Sequence, residues 1–256
     1  GITDNNFMTD HLHLTLEGYR EIGKMFYESM KLNNYLPKGN TINLPDSLIY
    51  SMAIERHKFS KFDSVVAEYR LALLRNDWPF IDKAQKRPTE EILVRKDFVD
   101  SIAYNSLTGK IEWSFAQQEV AKQYLKRNMI DKYIYQMDVI IGHYPVVIEF
   151  YEKAAENLIQ LKYYETAHKF LEDGYKIKPT AFITKWLGSI NLNNGQPEKA
   201  IVYLEQSIKL KNDDAQVYHN LAGAYYTKEK YEKALEYINT SLILRPKYQN
   251  AIELKK

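Results

Sequence analysis

The alternation of apolar and polar positions is helical along most of the chain. Leu16, Tyr19, Ile22, Gly23, Phe26 and Met30 recur at helical spacing and predict a helix over about 16–31. Thr15 stands where an N-cap is needed, and Glu17 falls in the first turn, where a carboxylate complements the helix dipole. Phe62, Val65, Val66, Tyr69 and Leu73 predict an amphipathic helix over 61–75, broken by Asn76-Asp77-Trp78-Pro79-Phe80. Asp46 is expected to cap a helix running to about Lys58. Thr89-Glu90-Glu91 opens a short helix, and Asp97 caps another that ends near Gly109. Pro37-Lys38-Gly39-Asn40 and Leu44-Pro45-Asp46 mark a linker. No segment carries a strand-like alternation, so the pattern predicts an all-α fold.

From about residue 114 the pattern repeats itself. Pro145, Pro179, Asn212 and Pro246 are 34, 33 and 34 residues apart. Ala121, Ala155, Gly188 and Ala222 keep the same spacing. So do Tyr133, Ala167, Ala200 and Ala234, and Met137, Leu171, Leu204 and Ile238. Four registers in step define helix–turn–helix units. Each first helix pairs an apolar residue with a small one: Val120-Ala121, Ala154-Ala155, Leu187-Gly188 and Leu221-Ala222. The small residue lets the second helix approach closely, and the closing Pro of three units ends the second helix.

These residues resemble the tetratricopeptide repeat (TPR), over roughly 114–248, with the best match in Ala181–Asp213 and Ala215–Lys247. The first unit departs from it, with Tyr133 where a small residue belongs. The resemblance implies helical hairpins leading into a right-handed superhelix with a concave face. It divides the chain into 1–32, a helical linker region 33–113, and repeats at about 114–146, 147–180, 181–214 and 215–248, followed by a capping helix.

By the same resemblance, the groove is lined from the first helix of each unit. The positions are Phe115, Gln118, Lys122 and Leu125, then Glu149, Glu152, Glu156 and Ile159. They continue as Phe182, Lys185, Ser189 and Leu192, then Gln216, His219, Gly223 and Tyr226. Mixed charge with exposed aromatics suits a protein or peptide partner. Some TPR proteins clamp a C-terminal carboxylate with paired Lys and Asn. Here Ser189 replaces the Asn and the Glu149, Glu152 and Glu156 group repels a carboxylate, so that specificity is not expected.

Composition narrows the function. The chain has 256 residues, 45% hydrophobic and 27% charged, within the globular range. Its 35 basic and 33 acidic residues leave a formal +2, and the basic residues form no stripe with stackable aromatics, so nucleic-acid binding is not expected. The absence of Cys excludes disulfides, thiolate metal sites and a cysteine nucleophile. No apolar run approaches the length of a transmembrane helix. No cofactor loop is present, and His11, His13 and Asp10 lack a fourth ligand, so neither cofactor nor metal is expected.

One short block carries chemistry. Asp10 lies three residues before His13 and can accept its Nδ1–H, leaving Nε2 basic toward a serine hydroxyl. Asp10-x-x-His13-x-Thr15-x-x-Gly18-Tyr19, leading into an apolar helix, resembles the last motif block of the SGNH/GDSL hydrolases, a family of serine esterases and acylhydrolases. The resemblance implies that Asp10 and His13 are two members of a triad. The nine residues before Asp10 contain no Ser and leave no room for an oxyanion hole, so this chain is expected to be inactive by itself. The leading Gly1, without Met, suggests a piece of a longer protein, and the family resemblance suggests an envelope or extracytoplasmic parent. The expectation is therefore a TPR-type interaction region of a larger acyl-ester hydrolase. The alternative is a stand-alone TPR adaptor without hydrolase activity.

Overall fold

The structure, a computed structural model, describes residues 15–36, 45–56 and 58–255. Asp10 and His13 lie outside these residues. The described chain is helical, with no strand among the described residues, and forms two compact units divided after Lys58. No described helix is long and apolar enough to cross a membrane.

The first unit contains α1 (Leu16–Leu32) and α2 (Asp46–Arg56). Thr15 caps α1, its side chain accepting from Gly18 N at 3.1 Å. Asp46 is not the cap that the sequence led one to expect. It is the first residue of α2, and its carboxylate accepts from Lys31 Nζ at 2.9 Å.

The second unit begins with α3 (Lys61–Arg75), followed by a 3-10 turn at Lys83–Gln85, α4 (Thr89–Ile92) and α5 (Phe98–Leu107). Ser60 and Asp63 form a capping box on α3, and Asp97 and Asp100 form one on α5. Reciprocal capping satisfies the orphan N–H groups at both helix starts, so these boundaries follow from local chemistry.

Four helical hairpins follow: α6 (Trp113–Lys126) with α7 (Ile130–His143), α8 (Ile148–Gln160) with α9 (Tyr164–Ile177), α10 (Ala181–Asn193) with α11 (Pro197–Leu210), and α12 (Ala215–Thr227) with α13 (Tyr231–Leu244). The last helix is α14 (Gln249–Lys255). The register residues are the core: Ala121, Ala155, Ala222, Ala167, Ala200, Leu171, Leu204 and Ile238 are all buried. A Cβ on Gly188 would stand 2.5 Å from Leu204 Cγ, so α10 and α11 meet at a separation only glycine permits.

A further register emerges in the turns. Asn128, Lys162, Gly195 and Glu229, again 34, 33 and 34 apart, all have left-handed backbone with φ of 55°, 65°, 70° and 57°. Each is followed by the same hydrogen bond back across the helix end: Met129 N to Tyr124 O, Tyr163 N to Leu158 O, Gln196 N to Asn191 O and Lys230 N to Tyr225 O, at 2.8–3.0 Å. This bond closes carbonyls that the helix end would otherwise leave open. Two units carry a second tie, in which Ser207 and Ser241 donate to the first carbonyls of the paired helices, Ala181 O at 3.0 Å and Ala215 O at 2.7 Å.

Within the region set apart from the sequence as linker, residues 62–111 supply part of the same core. One buried cluster runs from Phe62, Val66 and Tyr69 on α3 through Val99 and Ala103 on α5 into the repeats. A buried polar chain reinforces it. Gln117 Nε2 donates to Asp63 Oδ1 at 2.6 Å, Gln136 donates to Gln117 Oε1, and Ser60 Oγ reaches Gln117 Oε1 at 3.3 Å. In a low-dielectric interior each member needs its partner, so the chain fixes α3 against α6 and α7.

Candidate functional site

The nominated groove positions separate into two kinds. On α6, Phe115 is 60% exposed and Lys122 is exposed, held only by an i,i+3 contact to Glu119 at 3.4 Å. Phe115, Gln118, Lys122 and Leu125 line one wall of a cleft of about 570 Å³. On α12, Tyr226 is 56% exposed and meets Tyr231 edge-on at 5.5 Å. Glu149 is exposed on α8.

Other nominated residues are engaged between repeats. Thr180, the N-cap of α10, donates to Glu152. Lys185 Nζ donates to Asp214, the N-cap of α12, at 2.6 Å, and the lysine side chain is only 18% exposed. His219 packs on Tyr248, just before α14, with ring centroids 5.2 Å apart. These three pairs are equivalent: one side chain near the start of a unit's first helix reaches the residue that precedes the next unit. Glu156 is paired with Lys153 on its own helix at 2.9 Å. Phe182 is half-buried against the core and lines a recess of about 290 Å³ with Lys185, Trp186 and Asp214.

Two expected groove residues are buried instead. Ile159 is in the core with Leu158 and Ile190, although the equivalent Tyr226 of the last unit is exposed, so helical position alone does not decide it. Ser189 is covered by α12: its hydroxyl donates to Lys185 O at 2.8 Å and accepts from Asn220 Nδ2 at 2.7 Å.

The cleft is also lined by residues outside the expected groove positions. Tyr133 and Met137 of α7 form part of its lining, and Phe150, Lys153 and Asn157 of α8 form the wall opposite α6. Tyr133 is almost fully buried, accepts from Asn157 Nδ2 at 2.9 Å and reaches Lys153 O at 3.4 Å. Burial pushes its hydroxyl pKa up to about 12, partly offset by the Asn157 hydrogen bond. The signal was in the sequence: Tyr133 breaks the small-residue register at this point.

The tetratricopeptide repeat family model matches residues 192–255, the last two hairpins and α14. The crystal structure of MamA protein is similar, with 18% identity and a TM-score of 0.51, over 56% of this chain and 78% of that one. MamA 41-end from Desulfovibrio magneticus RS-1 is 20% identical with a TM-score of 0.48, over 53% and 77%. The first TPR of Spaghetti (RPAP3) bound to HSP90 peptide SRMEEVD is 15% identical with a TM-score of 0.40, over 42% and 86%. No curated protein sequence matches significantly. The chain thus carries a TPR region on an all-α superhelical repeat fold. Nothing among these matches is an SGNH/GDSL hydrolase.

Proposed function

We propose that residues 113–255 are a protein-interaction region whose concave face receives a segment of another protein or of a longer parent chain. The observation that carries this reading is the exposure of large apolar side chains, Phe115 and Tyr226, on the first helices of the outermost repeats, while the register residues between them are buried. Exposed aromatics on a rigid helical scaffold are the usual anchors of a binding surface. The stand-alone adaptor fits these observations without any further domain. Phe115→Ala and Tyr226→Ala are expected to weaken partner binding at least tenfold in a calorimetric titration while leaving the melting temperature unchanged. Loss of stability in step with binding would mean that these residues are structural.

A second reading attaches to the N-terminal block. Asp10-x-x-His13 immediately before the Thr15-capped α1 supports descent from, or fusion to, an SGNH/GDSL-type acyl-ester hydrolase. On this reading Asp10 and His13 act only with a serine supplied upstream. The test is turnover of a short-chain aryl ester by the protein from its native source, with and without His13→Ala. Activity abolished by the substitution supports the reading, and native protein without activity overturns it.

A further inference from the structure

The cleft between α6 and α8 lies where the first unit departs from the repeat pattern. In the other three units the position of Tyr133 is alanine: Ala167, Ala200 and Ala234. Here a phenol ring occupies it, buried, and its hydroxyl is fixed by Asn157 at 2.9 Å. A ring in place of a methyl group at a helix–helix contact cannot be absorbed at native packing density without moving the helices. The departure from the repeat therefore coincides with an opening of about 570 Å³, within the size range of ligand-binding clefts.

The cleft has a definite chemistry. Its interior is apolar, with Leu125, Met137 and Phe150 around the small Ala121, and Phe115 stands exposed at its lip. Its charged lining is two ammonium groups, Lys122 and Lys153, and one carboxylate, Glu119. Glu119 already accepts from Gln123 Nε2 at 2.6 Å. The lysines are held only by helical pairs, Lys122 to Glu119 and Lys153 to Glu156, both more than half exposed. Such pairs are weak and exchange readily for a better-placed anion. Gln118 and Asn157 line the same cleft; their amide nitrogens already donate to Ser114 O and the Tyr133 hydroxyl, and their amide oxygens are of the type that accepts from the N–H groups of an extended backbone.

We infer that this cleft binds an internal, extended segment of a partner protein through one bulky apolar side chain flanked by a single acidic residue. The inference rests on the interaction-region reading above and makes it specific. The apolar anchor lies over Ala121 among Phe115, Met137 and Phe150, and the neighbouring carboxylate meets Lys122 and Lys153. An acidic tract is disfavoured, because Glu149 and Glu156 stand on α8 beyond the cleft lining and repel further carboxylates.

The test is selection from a random dodecapeptide library displayed with its C-termini fused, so that no free carboxylate is offered, on the full chain. Enriched sequences are then made as end-capped, fluorescein-labelled peptides and titrated by anisotropy. The expected binders share Phe, Leu, Met or Trp next to one Asp or Glu. Replacing that apolar residue by Ala abolishes binding. The Lys122→Glu, Lys153→Glu pair weakens it at least tenfold and improves binding of the same peptide with Lys in place of the acid. Phe115→Ala weakens it similarly. All three residues are exposed, and an unchanged melting temperature confirms that the variants fold. Binders that are indifferent to these variants but lost in Tyr226→Ala would overturn the cleft assignment and leave the interaction region standing. Enrichment of no peptide at all would overturn both.

Discussion

Lys185 on α10 and Asp214 at the start of α12 are joined by a 2.6 Å ion pair across the junction of two repeats. Asp214 also accepts from Gln216 N at 2.9 Å, so one carboxylate both caps a helix and anchors the preceding hairpin. Glu152 with Thr180, and His219 with Tyr248, occupy the equivalent places at the neighbouring junctions. Three chemically different pairs thus fill one geometric role, which is to hold each hairpin against the start of the next.

Asp214→Ala removes both bonds and is expected to cost about 1–2 kcal/mol. Asp214→Asn keeps an acceptor for the cap and should cost less. Urea unfolding of both variants and of Lys185→Met separates the cap from the ion pair. A double-mutant cycle without coupling between positions 185 and 214 would remove the brace from the account.

Gly188 and Gly223 offer a controlled contrast. Alanine at Gly188 would place its Cβ 2.5 and 2.8 Å from Leu204 and 3.2 Å from Ala200 O. Overpacking of this kind costs about 1–3 kcal/mol, because the helices must part. At Gly223 the nearest atom is Leu192 Cδ2 at 3.6 Å, an ordinary contact. There Gly223→Ala is expected to stabilise by up to about 1 kcal/mol through helix propensity. Thermal unfolding of the two variants should move in opposite directions.

Lys162 and Glu229 hold left-handed backbone at φ of 65° and 57°, where the third repeat uses Gly195. The strain of a side chain in this region is about 1–2 kcal/mol, partly offset by the greater freedom glycine gives the unfolded chain. Lys162→Gly and Glu229→Gly are therefore expected to leave stability unchanged or raise it by up to about 1 kcal/mol, whereas Gly195→Val lowers it. Chemical denaturation of the three variants checks the sign.

Asp97 gives the stability a dependence on acid. Burial raises its pKa, but the ion pair with Lys61 and the backbone N–H groups of Asp100 and Val99 more than offset this, and the net shift is downward. A depressed folded pKa contributes stability above the unfolded value of about 3.9, and that stability is lost as pH falls through the folded value. The melting temperature should therefore drop below about pH 4, and Asp97→Asn should flatten that drop while lowering stability at neutral pH. An identical acid profile in the variant would show that Asp97 does not contribute.

Much of this architecture is legible in the sequence because its causes are local. The spacing of Val120-Ala121 and its three counterparts names the buried face of each first helix, and Asp97 and Thr15 mark helix starts through the hydrogen bonds their own side chains make. The left-handed turns were only half legible, since Gly195 and Asn128 are residue types that enter this region readily, whereas Lys162 and Glu229 are held there by the closing hydrogen bond. The first buried layer was also missed, because Gln117, Gln136 and Asp63 read as surface residues until α3 folds over them.

The sequence by itself determined that the chain is a series of helical hairpins repeating every 33 or 34 residues, because burial at helical period and a small residue at each crossing are properties of the one-dimensional pattern. Tertiary structure alone decided which side chains on the groove helices face outward. Lys185 and Phe115 lie on first helices and are alike candidates in sequence, yet one is clamped to Asp214 and the other stands at the lip of a cleft. The difference arises from how successive hairpins are stacked, set by contacts as close as Gly174 on Ile183 and as bulky as Tyr133 beside Asn157, and that stacking is a three-dimensional quantity no local spacing encodes.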